Sequence, residues 1–518
     1  MSRGNIRMVC KRTSAGAYLH ALRAPPELSP PHSSTNIAEA RRRTRLQIYL
    51  FLIHNPVLNL QVQNTKEQSK ATSYSKANMS AFTAEHKSHS FEGSLLPWAE
   101  PSWHTRPSPY YNDSHRHLRD VVRKWVVDNV DTDPWEAAGE VPNSIYLKCA
   151  ADGLLVPISF GRSIPAEYAD YPIIGGIKAA EWDGFHDFVL WDELYRGGAI
   201  SSIFVGLTVG APPLNKYAGS ALKAEMLPQI LKGEKRICLA ITEPAAGSDV
   251  RNIGTTAERQ GDVYVVNGEK KWITNGIFSD YFSTFALTAV RTGGPGAGGI
   301  SMLLINRHLP GIKCRTIEIG AGKLSATTYI TFEDVRVPVH YLIGQENSGF
   351  RLIMSNFNHE RLWIVFQALR GARTCLEDAM KWAQKREVFG TVLIEQPVVR
   401  HKFGLCAKRV EGLQAWTEQV VYELDCLSEE EGNRLLGGVT ALLKVEAGMV
   451  GKFVADECVK IMGGLGLTKT GQGARIEAIS RGVIGLIVPG GSEDVMIDLG
   501  VREALKLSRA QQKSAAKL

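Results

Sequence analysis

Two short runs carry the densest chemistry in this chain. Ile237-Cys238-Leu239-Ala240-Ile241-Thr242-Glu243-Pro244-Ala245-Ala246-Gly247-Ser248-Asp249 is an apolar stretch that ends in a threonine and opens into a loop of small residues. Lys270-Lys271-Trp272-Ile273-Thr274-Asn275-Gly276 follows after a spacer. A small-residue loop lets backbone N–H groups converge on an anion, and the Ser248 hydroxyl adds a donor. Trp272 and Thr274 stand two residues apart, so on a strand they share a face and offer a flat aromatic surface beside a hydroxyl. One side of an isoalloxazine ring fits there. Taken singly, a buried Trp is core and an Ala-Ala-Gly-Ser loop is a turn; it is their order and spacing that point to a flavin.

Four further segments hold reactive or ligand-shaped residues. Lys385-Arg386-Glu387-Val388-Phe389-Gly390 offers a guanidinium fork suited to phosphate oxygens, or simply an Arg facing the dipole at a helix C-terminus. Ile461-Met462-Gly463-Gly464-Leu465-Gly466-Leu467 is glycine-rich, as required where backbone closely approaches a ligand, and equally a helix terminus. Ile487-Val488-Pro489-Gly490-Gly491-Ser492-Glu493-Asp494 is a tight turn shaped by a proline. Asn358-His359-Glu360-Arg361-Leu362 places a carboxylate on a long helix, where its plainer role is an ion pair one turn away.

In this order the segments resemble the acyl-CoA dehydrogenase family, over about residues 113–507. The resemblance implies FAD as cofactor and α,β-dehydrogenation of an acyl-CoA thioester. It assigns FAD contacts to Leu239, Ile241, Thr242, Gly247, Ser248, Trp272 and Thr274, with Ser248 also touching the CoA side. Arg386 and Phe389 match the family's Arg-x-x-Phe-Gly motif, which reaches the pyrophosphate of a neighbouring subunit. Gln396 stands one place from the glutamine that usually follows, with Pro397 at the expected position. Gly463 and Gly464 match the turn at the adenosine end, and Gly491, Ser492 and Glu493 the last cofactor-contacting turn. Many family members carry the catalytic Glu directly before Gly490, where this chain has Pro489. The isovaleryl-CoA and long-chain branches recruit their base from a Glu-Arg-Leu segment instead, which makes Glu360 the expected base and Asn358, Arg361 and Gly490 expected substrate contacts. No metal site is expected. The electron acceptor is an electron-transfer flavoprotein or oxygen, and the expected assembly is a homodimer or homotetramer. A flavin oxidase or monooxygenase of the same fold acting on a non-CoA substrate, and an interaction protein that lost catalysis with the usual base, are the alternatives.

The elements that must position these residues are read from periodicity. Leu118, Val121, Val122, Trp125 and Val126 recur at helical spacing, and further helices are predicted at Ser144–Ala151, Trp182–Tyr195 and Leu222–Leu231, with a loop over Pro157–Gly176. Residues 113–235 thus form an N-terminal α-helical domain. Val263–Trp272 reads as two short strands around Asn267-Gly268, and strands are predicted at Tyr281–Val290, Ile300–Asn306, Lys313–Ile319 and Thr328–Phe332, which gives a middle β-domain over 236–345. Residues 346–518 are helical again, with stretches at Phe350–Phe389, Val398–Leu424, Asn433–Met462 and Val495–Leu507. Pattern alone gives an α+β class; the order α, β, four-helix bundle follows from the resemblance.

With 44% hydrophobic and 22% charged residues in 518, the chain is globular and long enough for two to four domains. Residues 1–112 read as a basic, disordered extension and linker. The first 78 residues hold twelve Lys or Arg against three acids, a charge of +9 in a chain of net +7, so the body is about −2 and no nucleic-acid partner is implied. Leu46–Leu60 is too short and too interrupted to span a membrane. Eight scattered cysteines without a C-x-x-C pair suit a reducing compartment. Ala516-Lys517-Leu518 is a close variant of the peroxisomal Ser-Lys-Leu signal, whereas the Arg-rich start suits a mitochondrial transit peptide. A chain beginning at Met79 would lack that start, so the peroxisomal reading leads.

Overall fold

A computed structural model describes residues 94–516, apart from 197, 279 and 285–291; the side chains of 199, 281–284 and 355–358 also lie outside the description. Within the segment read as extension and linker, residues 94–112 carry packed structure. Ala99 and Trp103 are buried, and the Trp103 ring stacks on Tyr111 at 4.1 Å. Glu100 accounts for this: its carboxylate lies against Arg123 at 3.3 Å, Arg196 at 2.6 Å and Arg370 at 3.2 Å. Arg373 adds hydrogen bonds to the carbonyls of Trp98 at 3.0 Å and Glu100 at 3.3 Å. Burial pushes the Glu100 carboxyl up, but the three guanidiniums overcome it and hold the group at about 2.

Helix α1 (Asp113–Asn129) starts at an Asn112 cap whose side chain takes the amides of Ser114 and His115. Short helices α2 (Thr132–Ala138), α3 (Asn143–Ala151) and α4 (Leu155–Phe160) follow, then α5 (Gly184–Arg196), α6 (Val205–Tyr217) and α7 (Ser220–Leu231). α6 has no forerunner in the sequence reading. It is buried on most sides and carries Pro212 and Pro213, so it shows neither an amphipathic period nor a breaker-free run. Asp183 joins α1 to α5. One of its carboxylate oxygens takes the amides of Phe185 and His186 and meets ring nitrogens of His115 at 3.0 Å and His186 at 2.8 Å. His115 Nδ1 accepts the Asn112 amide, so its Nε2 carries the proton and donates to Asp183; the cluster closes on itself as a clasp.

The β-domain holds two sheets. β1 (Ile237–Leu239) runs parallel to β4 (Tyr281–Thr284), which pairs antiparallel with β5 (Leu303–Asn306). The second sheet, antiparallel throughout, has the order β2 (Thr256–Gln260), β3 (Val263–Ile273), β7 (Thr328–Pro338), β6 (Ile312–Thr316). The predicted Asn267-Gly268 turn is absent: β3 runs straight through it. The register slips there, with Val266 opposite Val335 and Gly268 opposite Phe332, so Asn267 alone faces Glu333 and Asp334: the extra residue is in β7, where Asp334 has φ +50° and exchanges hydrogen bonds with Asn267. Gly268 has φ +144°, and a Cβ there would lie 2.6 Å from Thr255 Cα, which is why the position takes glycine. The true hairpin is β2–β3, turned at Gly261-Asp262; polar β2 shows no apolar alternation to announce it. The part of the predicted Tyr281–Val290 strand beyond Thr284 lies outside the described residues.

The C-terminal bundle comprises α8 (Gly349–Ala383), α9 (Pro397–Cys426), α10 (Glu429–Met462) and, after short α11 (Ala474–Gly482) and α12 (Ile484–Ile487), α13 (Glu493–Ala515). α8 ends at Ala383, six residues before the predicted Phe389. The chain then forms a hairpin, β8 (Glu387–Val388) against β9 (Thr391–Val392), with Phe389 at φ +50° and Gly390 at φ +78° in the turn. No helix of the described residues is long and apolar enough to cross a membrane.

Candidate active site

The first cluster is built on the β-domain. Leu239 ends β1; Ile241 and Thr242 follow it outside regular structure, and Gly247 and Ser248 sit exposed in the loop beyond. Glu243 fixes that loop. Its backbone bridges to Ala246, and its carboxylate takes the amides of Gly254 at 2.5 Å and Thr255 at 3.0 Å. The second run is tied to the first by Lys270, fully buried in β3, whose ammonium donates to the Ile241 carbonyl at 3.0 Å and to Glu243 at 2.7 Å. Burial lowers the Lys270 ammonium to about 8, with Glu243 opposing; burial raises the Glu243 carboxyl, but Lys270 and the amides overcome it and hold it low. Both halves of this pin lie inside the quoted motifs, and their opposite charges were the available signal.

Trp272 and Thr274 do not share a face by strand alternation. The register shifts between Lys270 and Ile273, Trp272 takes φ +66°, and Thr274 lies in the turn after β3. The bulge turns the Trp272 ring outward, 50% exposed, with the Lys271 ammonium 4.6 Å from its centroid. Asn275 anchors the turn. It has φ +61°, its Oδ1 accepts the Gly206 amide at the start of α6 (2.9 Å), and its Nδ2 donates to the carbonyls of Ser202 (3.0 Å) and Ser325 (3.2 Å).

The second cluster lies in the bundle. Glu360 and Arg361 sit on α8, as does Asn358, whose side chain lies outside the described residues. Glu360 Oε2 is buried without a hydrogen-bond partner among the described residues, and burial pushes the carboxyl up against the opposing charges of Arg361, Lys444 and His359. The structure brings Glu360 to the Pro489 turn: a Cβ built on Gly490 would lie 3.8 Å from Glu360 Oε1, 4.0 Å from Lys444 Cε and 2.9 Å from Ile364 Cδ1. Gly490 at φ +69° therefore has two reasons to be glycine. Arg361 donates to the Gly490 carbonyl at 3.4 Å. Ser492 caps α13 by position without a side-chain bond, and Glu493 opens its first turn.

The third group is at the surface. Arg386 is exposed, its guanidinium 6.0 Å from the Trp382 ring, and Phe389 is 96% exposed. Both stand on the hairpin, beyond the dipole of α8. Gln396 precedes Pro397 at N1 of α9 and donates to Thr391 Oγ1 at 3.0 Å. Gly463, at φ +64°, ends α10, and open space lies where Cβ atoms of Gly463 and Gly464 would be.

A helical domain, a β-domain with an outward-turned indole beside a small-residue loop, and a bundle enclosing a carboxylate oxygen that has no hydrogen-bond partner among the described residues match the class of three-domain flavin-dependent oxidoreductases that the sequence resembles. Comparison narrows it. Models of the acyl-CoA dehydrogenase N-terminal, middle and C-terminal domains match residues 112–234, 238–335 and 347–505. The chain is 42% identical over 439 residues to acyl-CoA dehydrogenase apdG of Emericella nidulans, covering 82% of this chain and 99% of that one. It is 38% identical over 424 residues to acyl-CoA dehydrogenase AFT10-1 of Alternaria alternata, covering 80% and 97%. The crystal structure of a probable acyl CoA dehydrogenase from Mycobacterium abscessus superposes with a TM-score of 0.68 at 30% identity, covering 76% of this chain and all of that one. The chain belongs to the acyl-CoA dehydrogenase family and is an FAD-dependent oxidoreductase.

Proposed function

We propose that this enzyme removes the α-proton and β-hydrogen of an acyl-CoA thioester, leaving a Cα=Cβ double bond, with Glu360 as the base. The observation that carries the reading is Glu360, whose Oε2 is buried with no hydrogen-bond partner among the described residues and whose Oε1 lies beside Gly490, next to the position where Pro489 offers no ionisable group. An oxygen without a donor is free to accept a proton from carbon. Burial raises its affinity for that proton toward the working pH, as a general base requires. Arg361 and Gly490, joined by their hydrogen bond, border the site on the substrate side together with Asn358, while Ser248 serves the CoA side.

The residues fit FAD. The Trp272 ring is offered outward on a bulge, Ala245, Gly247 and Ser248 are exposed in a loop anchored by Glu243 and buried Ala246, and nothing fills the Cβ space at Gly247. Leu239, Ile241, Thr242, Gly247, Ser248, Trp272 and Thr274 hold the ring and its nearer phosphate, and Gly491, Ser492 and Glu493 close the turn over it. When bound, FAD supplies the acceptor for the β-hydrogen as hydride. Arg386, Phe389 and Gln396, with Gly463 and Gly464, serve the cofactor of a neighbouring subunit in a homodimer or homotetramer; a Phe ring 96% exposed beside an Arg without an ion pair among the described residues supports this. Electrons leave to an electron-transfer flavoprotein or oxygen. The chain works in the peroxisome through Ala516-Lys517-Leu518, the last two of which lie outside the described residues.

The test is anaerobic mixing of the purified holoenzyme with straight and branched acyl-CoA esters while flavin absorbance is followed. Bleaching by at least one ester is expected. No bleaching by any of them, with reduction by nitroalkanes or amines, would move the enzyme to a non-CoA substrate.

A further inference from the structure

Lys444 is 1% exposed on α10, in a row with Leu436, Thr440 and Gly448 that otherwise faces the core. Its ammonium donates to the carbonyls of Ile487 and Gly491, the latter at 2.6 Å. These carbonyls flank Pro489, and the Gly490 carbonyl between them is taken by Arg361. Three carbonyls of a five-residue turn thus point at two buried cations. Gly448, one turn on from Lys444, shows how closely the turn is drawn in: a Cβ there would lie 2.9 Å from Ile487 Cγ1 and 3.6 Å from Glu493 Oε1.

Burying a lysine is costly, and helix packing alone does not call for one here. We infer that Lys444 is a positioning residue, which clamps the Ile487–Gly491 turn against Glu360 and sets the electrostatic field in which Glu360 accepts its proton. The inference rests on Glu360 being the base. The loss of a carboxylate at Pro489 leaves the turn without its own acid, so its remaining task is to wall the bundle carboxylate, and Lys444 holds the wall in place. The charged groups around Glu360 are Arg361 and His359 on α8, Lys444 on α10 and, facing Lys444, Glu493 on α13; His359 is drawn the other way, its Nε2 lying 3.2 Å from Asp187 on α5. Burial lowers the Lys444 ammonium to about 8, with Glu360 and Glu493 opposing, so it is cationic at neutral pH. A cation beside Glu360 favours the carboxylate and keeps the base from being protonated under working conditions.

Two substitutions in the full-length holoenzyme separate clamp from charge. Lys444→Met removes both, and Lys444→Gln keeps a hydrogen-bond donor without charge. In both, the acidic limb of the pH profile for flavin reduction should move upward by about one pH unit, the usual effect of deleting one nearby opposite charge. Backbone hydrogen exchange at residues 488–492 should quicken in Lys444→Met, and less in Lys444→Gln. An unmoved acidic limb together with unchanged exchange in either folded variant would overturn the role. If Lys444→Met does not retain a fold, Lys444→Gln alone decides through the limb. The exchange measurement is repeated in Glu360→Gln: faster exchange in Glu360→Gln/Lys444→Met than in Glu360→Gln, with near-normal flavin reduction in Glu360→Gln, would keep the clamp while rejecting Glu360 as base.

Discussion

Glu360 shows how a residue's chemistry is set by what surrounds it. An acid on an exposed helix face titrates near 4.5, whereas this one is walled by Ile364, Gly490 and the stem of Lys444, and burial raises it. The sign is direct: the base must be ionised, so the rate of flavin reduction should fall as pH drops through the raised value, at a higher pH than an exposed Glu would give. A stopped-flow pH series checks this; an acidic limb at or below about 4.5 would show a solvated carboxylate. The sequence points to Glu360 as the proposed base because Pro489 offers no carboxylate and Glu-Arg-Leu is present. It does not identify Lys444, since one lysine in an apolar helix row is also what a snorkelling surface residue looks like, and only the fold shows the Pro489 turn above it.

At the scale of elements, the long helices were legible and the loops that aim the chemistry were less so. α9 buries one stripe and exposes the rest, which periodicity reports, whereas α8 over 361–380 and much of α10 are buried on most sides and are announced by their long apolar runs. The bulge in β7 at Asp334 and the one in β3 at Trp272 are set by partners distant in sequence, Asn267 for one and the β7 register for the other, and no local pattern contains them. The same holds for the strap at residues 97–104, whose order comes from Arg370 and Arg373 on α8. Glu100→Ala should leave Arg123, Arg196 and Arg370 buried around a lost carboxylate and cost about 3–5 kcal/mol. Denaturant unfolding measures this, and a loss under 1 kcal/mol would mean the strap is incidental. Because the folded-state value of Glu100 lies at about 2, below that of an unfolded Glu, its contribution is present above pH 4.5 and is lost as pH falls toward 2.

For the whole molecule, the proposed shared site sets the exposed hairpin and the glycine-rich end of α10 against a neighbouring subunit. Arg386→Ala should weaken FAD retention and oligomer stability together, read by flavin release on dilution and by sedimentation; a stable, flavin-replete monomer would contradict the shared site. A chain begun at Met79 should fold and hold FAD as the full chain does, and deleting Ala516–Leu518 from it should abolish peroxisomal import. A start later than Pro97 should not be tolerated, because it cuts into the Glu100 strap. The measurement that tests the central claim most directly compares wild type with Glu360→Gln, each loaded with FAD and mixed anaerobically with an acyl-CoA that reduces the wild type. Glu360→Gln should show normal FAD content and ligand binding, with flavin reduction slowed by about 10²–10⁴-fold, the worth of a positioned base; bound acyl-CoA with near-normal reduction would contradict Glu360 as the base.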